Sequence, residues 1–422
     1  MMIDNPTDDF FDRALAFALD NRNENTVSLR LKVMSKLAPD SEERNFYDFA
    51  LTQIEAWRKY ASKLPSLTAS STPSLFPSLL AGEQASHEQI ARFHASLVDD
   101  AGSLIDLTAG LGVDFRFMAM AVAAKGDRCM AVEMDPLKAR VLEFNLQRAG
   151  VSEARVINGE SIDFLKKLHA EGVTVDLLFA DPARRDSEGG RLFDPAACSP
   201  DLVGNAELTF DVARRALIKN SPMLDVSRAL EIYPDVSRVY VVGVRNECKE
   251  VLVELSRDCE TPRVTAVDIL SDGTIRHFSI DADRLHEGAI RYFDADSMTS
   301  LIEAGSLYLY EPSPSIMKIA PWGALSAEMP VAKCSTNCHL FFSSEYIPDF
   351  PGRRLKVNRQ VGNKERKSLK GERRNVVSRN YPDRADTIAS RLRLKPSTAS
   401  DYLYALTVGR DEKPLLLDCT EL

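Results

Sequence analysis

Apolar positions along the chain follow two rhythms separated by a break. In the first 65 residues they recur at helical steps. Phe10, Ala14, Phe17 and Ala18 share a face of the stretch from Asp9 to Leu19. Phe46, Phe49, Ile54, Trp57, Tyr60 and Leu64 recur at three- and four-residue intervals through a longer helix from about Ser41. A Ser/Thr/Pro-rich stretch, Pro65 to Pro77, interrupts the pattern and reads as a linker or an irregular loop. Beyond it, short apolar runs alternate with helical segments. Strands are predicted at Leu104 to Leu107, Arg128 to Met134, Ala154 to Ile157, Val175 to Ala180, Ala216 to Asn220, Val239 to Val244 and Thr265 to Leu270. An amphipathic helix is expected around Lys249 to Leu255, and Asp272-Gly273 before Arg276 to Ile280 signals a hairpin. Towards the end, a strand at Leu307 to Tyr310, a helix opened by Glu311-Pro312-Ser313 and a strand at His339 to Ser343 read as a separate unit.

Chemistry concentrates at the ends of the first four strands. Ser103 to Ala124 reads as strand, glycine turn and helix, and Gly110 and Gly112 let the backbone approach a ligand at the helix's positive end. A dinucleotide fingerprint keeps its third glycine position small; here that position is Phe115, and an acid, Asp106, stands inside the strand. Glu133 ends the next strand, twenty-one residues after Gly112, where a carboxylate can accept two hydrogen bonds from a ribose diol. Asp135, Pro136 and Gly150 frame the following helix as N-cap, first-turn proline and C-cap. Upstream, Ser86 followed by Gln89 forms a capping box, which predicts a helix from Ser86 to about Leu97. The fourth strand ends in Asp181-Pro182-Ala183-Arg184-Arg185, where a carboxylate and a φ-fixing proline sit together.

These segments resemble the motifs of class I S-adenosylmethionine-dependent methyltransferases. D-L-T-A-G-L-G-V-D is similar to motif I, Gln84-x-Ser86 to motif X of nucleic-acid methyltransferases, and D-P-A-R to motif IV. The resemblance implies a Rossmann-like α/β domain with a seven-stranded sheet, completed by a terminal antiparallel hairpin. It also implies a cofactor site made of Gln84, Ser86, Asp106, Thr108, Gly110, Gly112, Asp114, Glu133, Met134, Glu160 and Ser161. In motif IV, Asp181 and the Pro182 carbonyl would orient the methyl acceptor. Arg184 stands where the family usually has an aromatic, and its guanidinium plane would stack on a base or clamp a phosphate. D-P-x-R also resembles carbon-5 uridine methyltransferases, but these need a nucleophilic cysteine after the next strand. Cys198 and Cys248 lie about twenty residues away on either side of Ser221 to Asp225, which argues against covalent catalysis.

Composition adds an asymmetry. The chain has 422 residues and a net charge of −9. From Gly352 to Lys395 there are fifteen Lys/Arg against four Asp/Glu, a balance of +11 that leaves −20 for the remainder. A one-signed stretch including Lys364, Arg366, Lys367, Lys370, Arg373 and Arg374 is expected to meet nucleic-acid phosphates. Tyr381, Tyr402 and Tyr404 would add stacking or serve as core. Seven scattered cysteines, no apolar run of membrane length and no secretory leader suggest a cytoplasmic protein without a disulfide framework. Cys334-x-x-x-Cys338-His339 lacks a second ligand pair and reads as buried thiols, not as a metal site.

The order of all these segments, with the basic tail, resembles bacterial methyltransferase-like proteins carrying a C-terminal THUMP-like domain. The expected layout is a helical region and linker at 1–81, the methyltransferase domain at 82–290 and a basic α+β THUMP-like domain at 291–422. The family implies an RNA substrate, tRNA or rRNA, methylated on a base nitrogen by direct in-line transfer. Two alternatives stay open: an RNA-binding protein that keeps the cofactor pocket without turnover, and a methyltransferase for a small molecule or protein.

Overall fold

The computed structural model describes residues 6–35, 37–98, 100–123, 128–151, 153–184, 194–362 and 365–422. The chain divides into two compact units, Met1–Ser237 with Val251–Cys259, and Arg238–Glu250 with Glu260–Leu422.

Three helices open the first unit: α1 (Asp8–Asp20), α2 (Thr26–Met34) and α3 (Glu42–Lys59). The start of α3 follows from its cap, since the Ser41 hydroxyl accepts the Arg44 N–H, and Glu42 and Glu43 occupy the positive first turn. Of the two expectations for Pro65 to Pro77, a linker or an irregular loop, residues 69–77 follow the second. The stretch holds a short helix, α4 (Pro65–Thr68), and buries Leu75 and Phe76 completely. Its main chain is tied down by buried side chains. Gln53 exchanges two hydrogen bonds with Phe76 (2.7 and 3.0 Å), Asn145 exchanges two with Leu75 (2.8 and 2.9 Å), and Trp57 Nε1 donates to the Ser74 carbonyl (2.8 Å). Amide and indole groups thus replace water around a polar segment, which lets it enter the core.

Next come α5 (Leu79–Gln84) and α6 (Glu88–Ser96). The helix predicted from Ser86 begins two residues later, with His87 as an N-cap that makes no side-chain cap bond. The Ser86 hydroxyl is instead engaged by Asp114 and Lys219. The alternation then runs β1 (Leu104–Asp106), α7 (Val113–Ala123), β2 (Cys129–Glu133), α8 (Pro136–Arg148), β3 (Arg155–Asn158), α9 (Ser161–Ala170) and β4 (Val175–Ala180). A small antiparallel ribbon, β5 (Ala183–Arg184) with β6 (Cys198–Ser199), precedes α10 (Ala206–Val212), β7 (Ala213–Asn220) and α11 (Val226–Ile232). Strands β1, β2, β3, β4 and β7 pair in parallel, with β1 between β2 and β4. Apolar side chains of α1, α3, α7 and α8 share one core, which includes Phe11, Ile54, Val113 and Phe144.

The sheet departs from the expected count. With β8 (Val236–Val244), β9 (Glu247–Leu255), β10 (Arg263–Ile269) and β11 (Ile275–Asp281) it has nine strands, not seven, in the order β11-β10-β8-β9-β7-β4-β1-β2-β3. The segment predicted as a helix at Lys249 to Leu255 is strand β9, antiparallel to β7. Val251, Leu252, Val253 and Leu255 are all buried, so the two-residue alternation that marks a half-exposed strand is missing. Arg245 and Asn246, both at positive φ, supply the tight turn into it. The hairpin predicted at Asp272-Gly273 is β10–β11.

In the second unit, a seven-stranded sheet has the order β13-β14-β12-β15-β18-β17-β16. Its strands are β12 (Tyr308–Pro312), β13 (Ala332–Lys333), β14 (Phe341–Ser343), β15 (Gly352–Gln360), β16 (Asn375–Arg379), β17 (Asp401–Val408) and β18 (Lys413–Glu421). The helix predicted after Ser313 spans Pro314–Ile319, and the Ser313 hydroxyl accepts the Ile316 N–H. Cys334 and Cys338 lie in the apolar core with Leu340, Phe342 and Tyr404. Tyr404 is core: it is fully buried and its hydroxyl donates to Glu311 (2.7 Å). Among the described residues, no helix is long and apolar enough to cross a membrane.

Candidate active site

A cleft of about 370 Å³ opens at the carboxyl ends of β1, β2 and β4, in the first unit. Its floor is the β1–α7 turn, where Gly110 and Gly112 have φ of +57° and +78°. A Cβ on Gly112 would lie 2.1 Å from Leu142 Cδ1, so close packing of α8 as well as the backbone conformation requires glycine there. The helix α7 begins at Val113, and its first residues, Val113 and Asp114, line the same cleft.

Glu133, at the tip of β2, is 9% exposed and holds this turn from the side. Its Oε2 accepts the Gly110 N–H (2.9 Å) and its Oε1 accepts the Asp135 N–H (2.8 Å). Each carboxylate oxygen has two lone-pair sites, so both retain one for a vicinal diol. Asn158 donates to the carbonyls of Glu133 and Met134 and fixes the strand tip. Asp106 is buried at 1% exposure and accepts the Thr108 N–H at 2.9 Å. Burial pushes its pKa up to about 8; the Thr108 N–H opposes this, and the charges of Asp114, Asp181 and Glu133 reinforce it. Glu160 lines the cleft while its Oε2 caps α9 through the N–H groups of Ile162 and Asp163. Ser161 donates to the Leu107 carbonyl (2.6 Å), and Met134 stands exposed at the rim. Gln84 ends α5 and also lines the cleft.

Across the cleft, Asp181 and Pro182 follow β4. Thr108 joins the two sides, since its Oγ1 accepts the Asp181 N–H at 2.6 Å. The Asp181 carboxylate meets a cation that the motif resemblance does not name: Lys219 Nζ donates to Asp181 Oδ2 (2.6 Å) and to Ser86 Oγ (3.0 Å). Ser86 in turn donates to Asp114 Oδ2 (2.6 Å), and Asp114 Oδ1 lies 2.8 Å from Nδ1 of the fully buried His94. Burial alone would raise the Asp114 pKa. The His94 hydrogen bond and charge, the Lys219 charge and the Ser86 hydrogen bond outweigh it and bring the group down to about 2. Asp181 and Lys219 follow the register pair Ala180 and Ile218 on neighbouring parallel strands. A lysine one residue past the apolar run of the next parallel strand is the signal by which the sequence marks this partner.

The structure therefore gathers the eleven predicted cofactor residues and Asp181 with Pro182 around one cleft. The Arg184 main chain lies in β5, and its side chain is outside the described residues, as is Lys364. The remaining basic candidates lie in the second unit. Lys367 and Lys370 are exposed, and Arg373 donates to the Pro396 carbonyl (3.1 Å). Arg366 is half-buried, whereas Arg374 pairs with Asp418 (3.1 Å) and Glu372 (3.0 Å). Among the described residues, no group of three or more His, Cys, Asp or Glu side chains could hold a metal ion.

A family model described as a ferredoxin-like domain matches residues 308–351. No curated protein matches the chain. Among solved structures, a Porphyromonas gingivalis W83 protein provisionally named a methyltransferase superposes with a TM-score of 0.81 at 23% identity, covering 97% of this chain and 98% of that one. An O-methyltransferase from Bacillus cereus in complex with SAH gives a TM-score of 0.31 at 15% identity, covering 55% of this chain and 97% of that one. A SAM-dependent methyltransferase from Agrobacterium tumefaciens gives 0.30 at 15% identity, over 46% of this chain and 61% of that one. The Porphyromonas likeness spans both units, and what it shows is a fold common to the two chains from end to end.

Proposed function

We propose that the protein is an S-adenosylmethionine-dependent methyltransferase acting on an RNA base nitrogen, tRNA or rRNA, in the cytoplasm. The observation that carries this reading is the pairing, across one cleft, of Glu133 at the tip of β2 with Asp181 after β4. The donor set fits the cofactor: Glu133 has lone pairs placed for a ribose diol, and Asp106 and Asp114 offer carboxylates to an ammonium. The glycine turn leaves room for the chain between them. When bound, the cofactor would supply an electrophilic sulfonium methyl, with the thioether as the leaving group. Asp181 accepts the acceptor's N–H, orients the lone pair and receives the proton that leaves nitrogen. Pro182, with φ fixed, bends the chain after Asp181, and its carbonyl would be the second group to accept from the acceptor's N–H.

The basic surface of the second unit, including exposed Lys367 and Lys370, supports an RNA acceptor. The ferredoxin-like match at 308–351 lies within the region read as THUMP-like. A second reading, an acceptor other than RNA, is favoured by the ion pairs that Arg353 and Arg379 make with Glu311 and Arg374 with Asp418, which engage three of the arginines of that stretch within the protein. Calorimetry with S-adenosylmethionine tests the cofactor, and its absence of binding would refute the enzyme reading. Nucleoside mass spectrometry of total RNA from cells with and without the gene tests the acceptor: a missing methylated nucleoside supports RNA, and identical spectra exclude it.

A further inference from the structure

We propose that Lys219 is a positioning residue for Asp181, holding the acceptor-side carboxylate ionised and aimed into the cleft. The proposal rests on the function given above and adds a residue that no part of the motif resemblance names.

Asp181 stands among carboxylates. Asp106 on β1 is close enough for their charges to interact, and Asp114 on α7 lies one hydroxyl away from Lys219 through Ser86. A carboxylate in such company lowers its free energy by taking a proton or by turning towards water, and either move removes the acceptor that the reaction requires. The Lys219 ammonium opposes both. Its side chain is 14% exposed against 41% for Asp181, so the ammonium supports the carboxylate from the more buried, protein side. The lysine is itself held: Ser86 Oγ accepts from it and donates to Asp114, which is fixed by His94. His94 is packed against Phe179, the ring two residues before Asp181. The network links α6, α7, β4 and β7 and leads from the cofactor end of the cleft to Asp181.

The test compares wild type with Lys219→Met and Lys219→Arg. One readout needs no acceptor: carbon-13 NMR of aspartate-labelled protein, with the Asp181 signal assigned by its loss in Asp181→Asn. In Lys219→Met the Asp181 titration midpoint moves upward, and in Lys219→Arg it stays near the wild-type position. The second readout is transfer of labelled methyl from S-adenosylmethionine to total RNA from cells lacking the gene. Lys219→Met lowers its rate about a hundredfold, the scale of a misplaced reacting group, with the acid limb moved to higher pH, while cofactor affinity holds and Lys219→Arg restores much of the rate. An Asp181 midpoint unmoved by Lys219→Met overturns the proposal. Wild-type protein that transfers no label refutes the RNA methyltransferase function separately, because the NMR readout still decides whether Lys219 governs Asp181.

Discussion

Glu133 Oε2 accepts the Gly110 N–H at 2.9 Å, so the carboxylate proposed for the ribose also holds the glycine turn in place. The same side chain caps the start of the next segment through Asp135 N–H. The proposed ribose contact and the local structure therefore rest on one group. Glu133→Ala leaves two main-chain donors without their acceptor, at a cost of about 1–3 kcal/mol each if they stay dry. The expected result is a melting temperature several degrees lower and cofactor affinity reduced by tenfold or more, on the order of 1.4 kcal/mol. Glu133→Gln retains one acceptor oxygen and should fall between wild type and Ala in calorimetry. Full affinity in Glu133→Ala would show that the ribose is held elsewhere.

Asp106 gives a pH signature. Its folded pKa, pushed up to about 8, lies above the ordinary carboxylate range, so the folded protein keeps a proton that the unfolded chain releases. The resulting stability is complete below about pH 4 and is lost as pH rises towards 8. Binding has the opposite slope. A cationic group placed against Asp106 favours its ionised form, so cofactor binding below pH 8 should release a proton and weaken as pH falls. Calorimetry in buffers of different ionisation enthalpy measures that release. Because the cofactor's own amine also titrates near this range, the decisive comparison is with Asp106→Asn, which should abolish the Asp106 contribution. Equal proton release in the two proteins would remove Asp106 from the site.

Gly112→Ala probes the turn without touching a polar group. The substitution places a methyl 2.1 Å from Leu142 Cδ1 at a φ of +78°, so strain and overpacking coincide. A loss of about 1–3 kcal/mol is expected from each effect, seen as a lowered denaturation midpoint with cofactor binding weakened in parallel. Gly150→Ala serves as the control. Its φ is also positive, but nothing lies within 4 Å of the added methyl, so only the backbone strain remains.

Much of this site was legible in the sequence because its elements punctuate themselves. Gly110 and Gly112 mark a turn, Asp135-Pro136 marks a helix start, and Glu133 and Asp181 each follow an apolar run. What stayed hidden depends on partners distant in sequence. Ser86 satisfies a capping-box pattern, yet Asp114 and Lys219 compete for its hydroxyl and the helix starts later. Lys219 resembles any lysine at a strand end until the register sets it beside Asp181. The segment from Pro65 to Pro77 has the composition of a loop, and the amides of Gln53 and Asn145 with the Trp57 indole make its burial possible. Strand β9 has no alternation to read because both its faces are covered.

The basic stretch yields the last prediction, because the structure separates two kinds of cation that charge counting merges. Lys367 and Lys370 are exposed, whereas the Arg374 side chain is 18% exposed and bonded to Asp418, itself 8% exposed. If RNA binds here, Lys367→Glu with Lys370→Glu should weaken RNA retention in a filter or anisotropy assay and leave the melting temperature unchanged. The salt dependence should also flatten, by about 0.7 in log–log slope for each single-strand phosphate that is no longer neutralised. Arg374→Ala should act the other way round. It leaves Asp418 without one of its cationic partners in a poorly solvated position, so stability should fall by roughly 1–3 kcal/mol while the salt slope changes little. An unchanged RNA affinity in the double glutamate variant would transfer the acceptor search from RNA to smaller substrates. Asp181 and Lys219 would then orient whatever nucleophile enters the cleft.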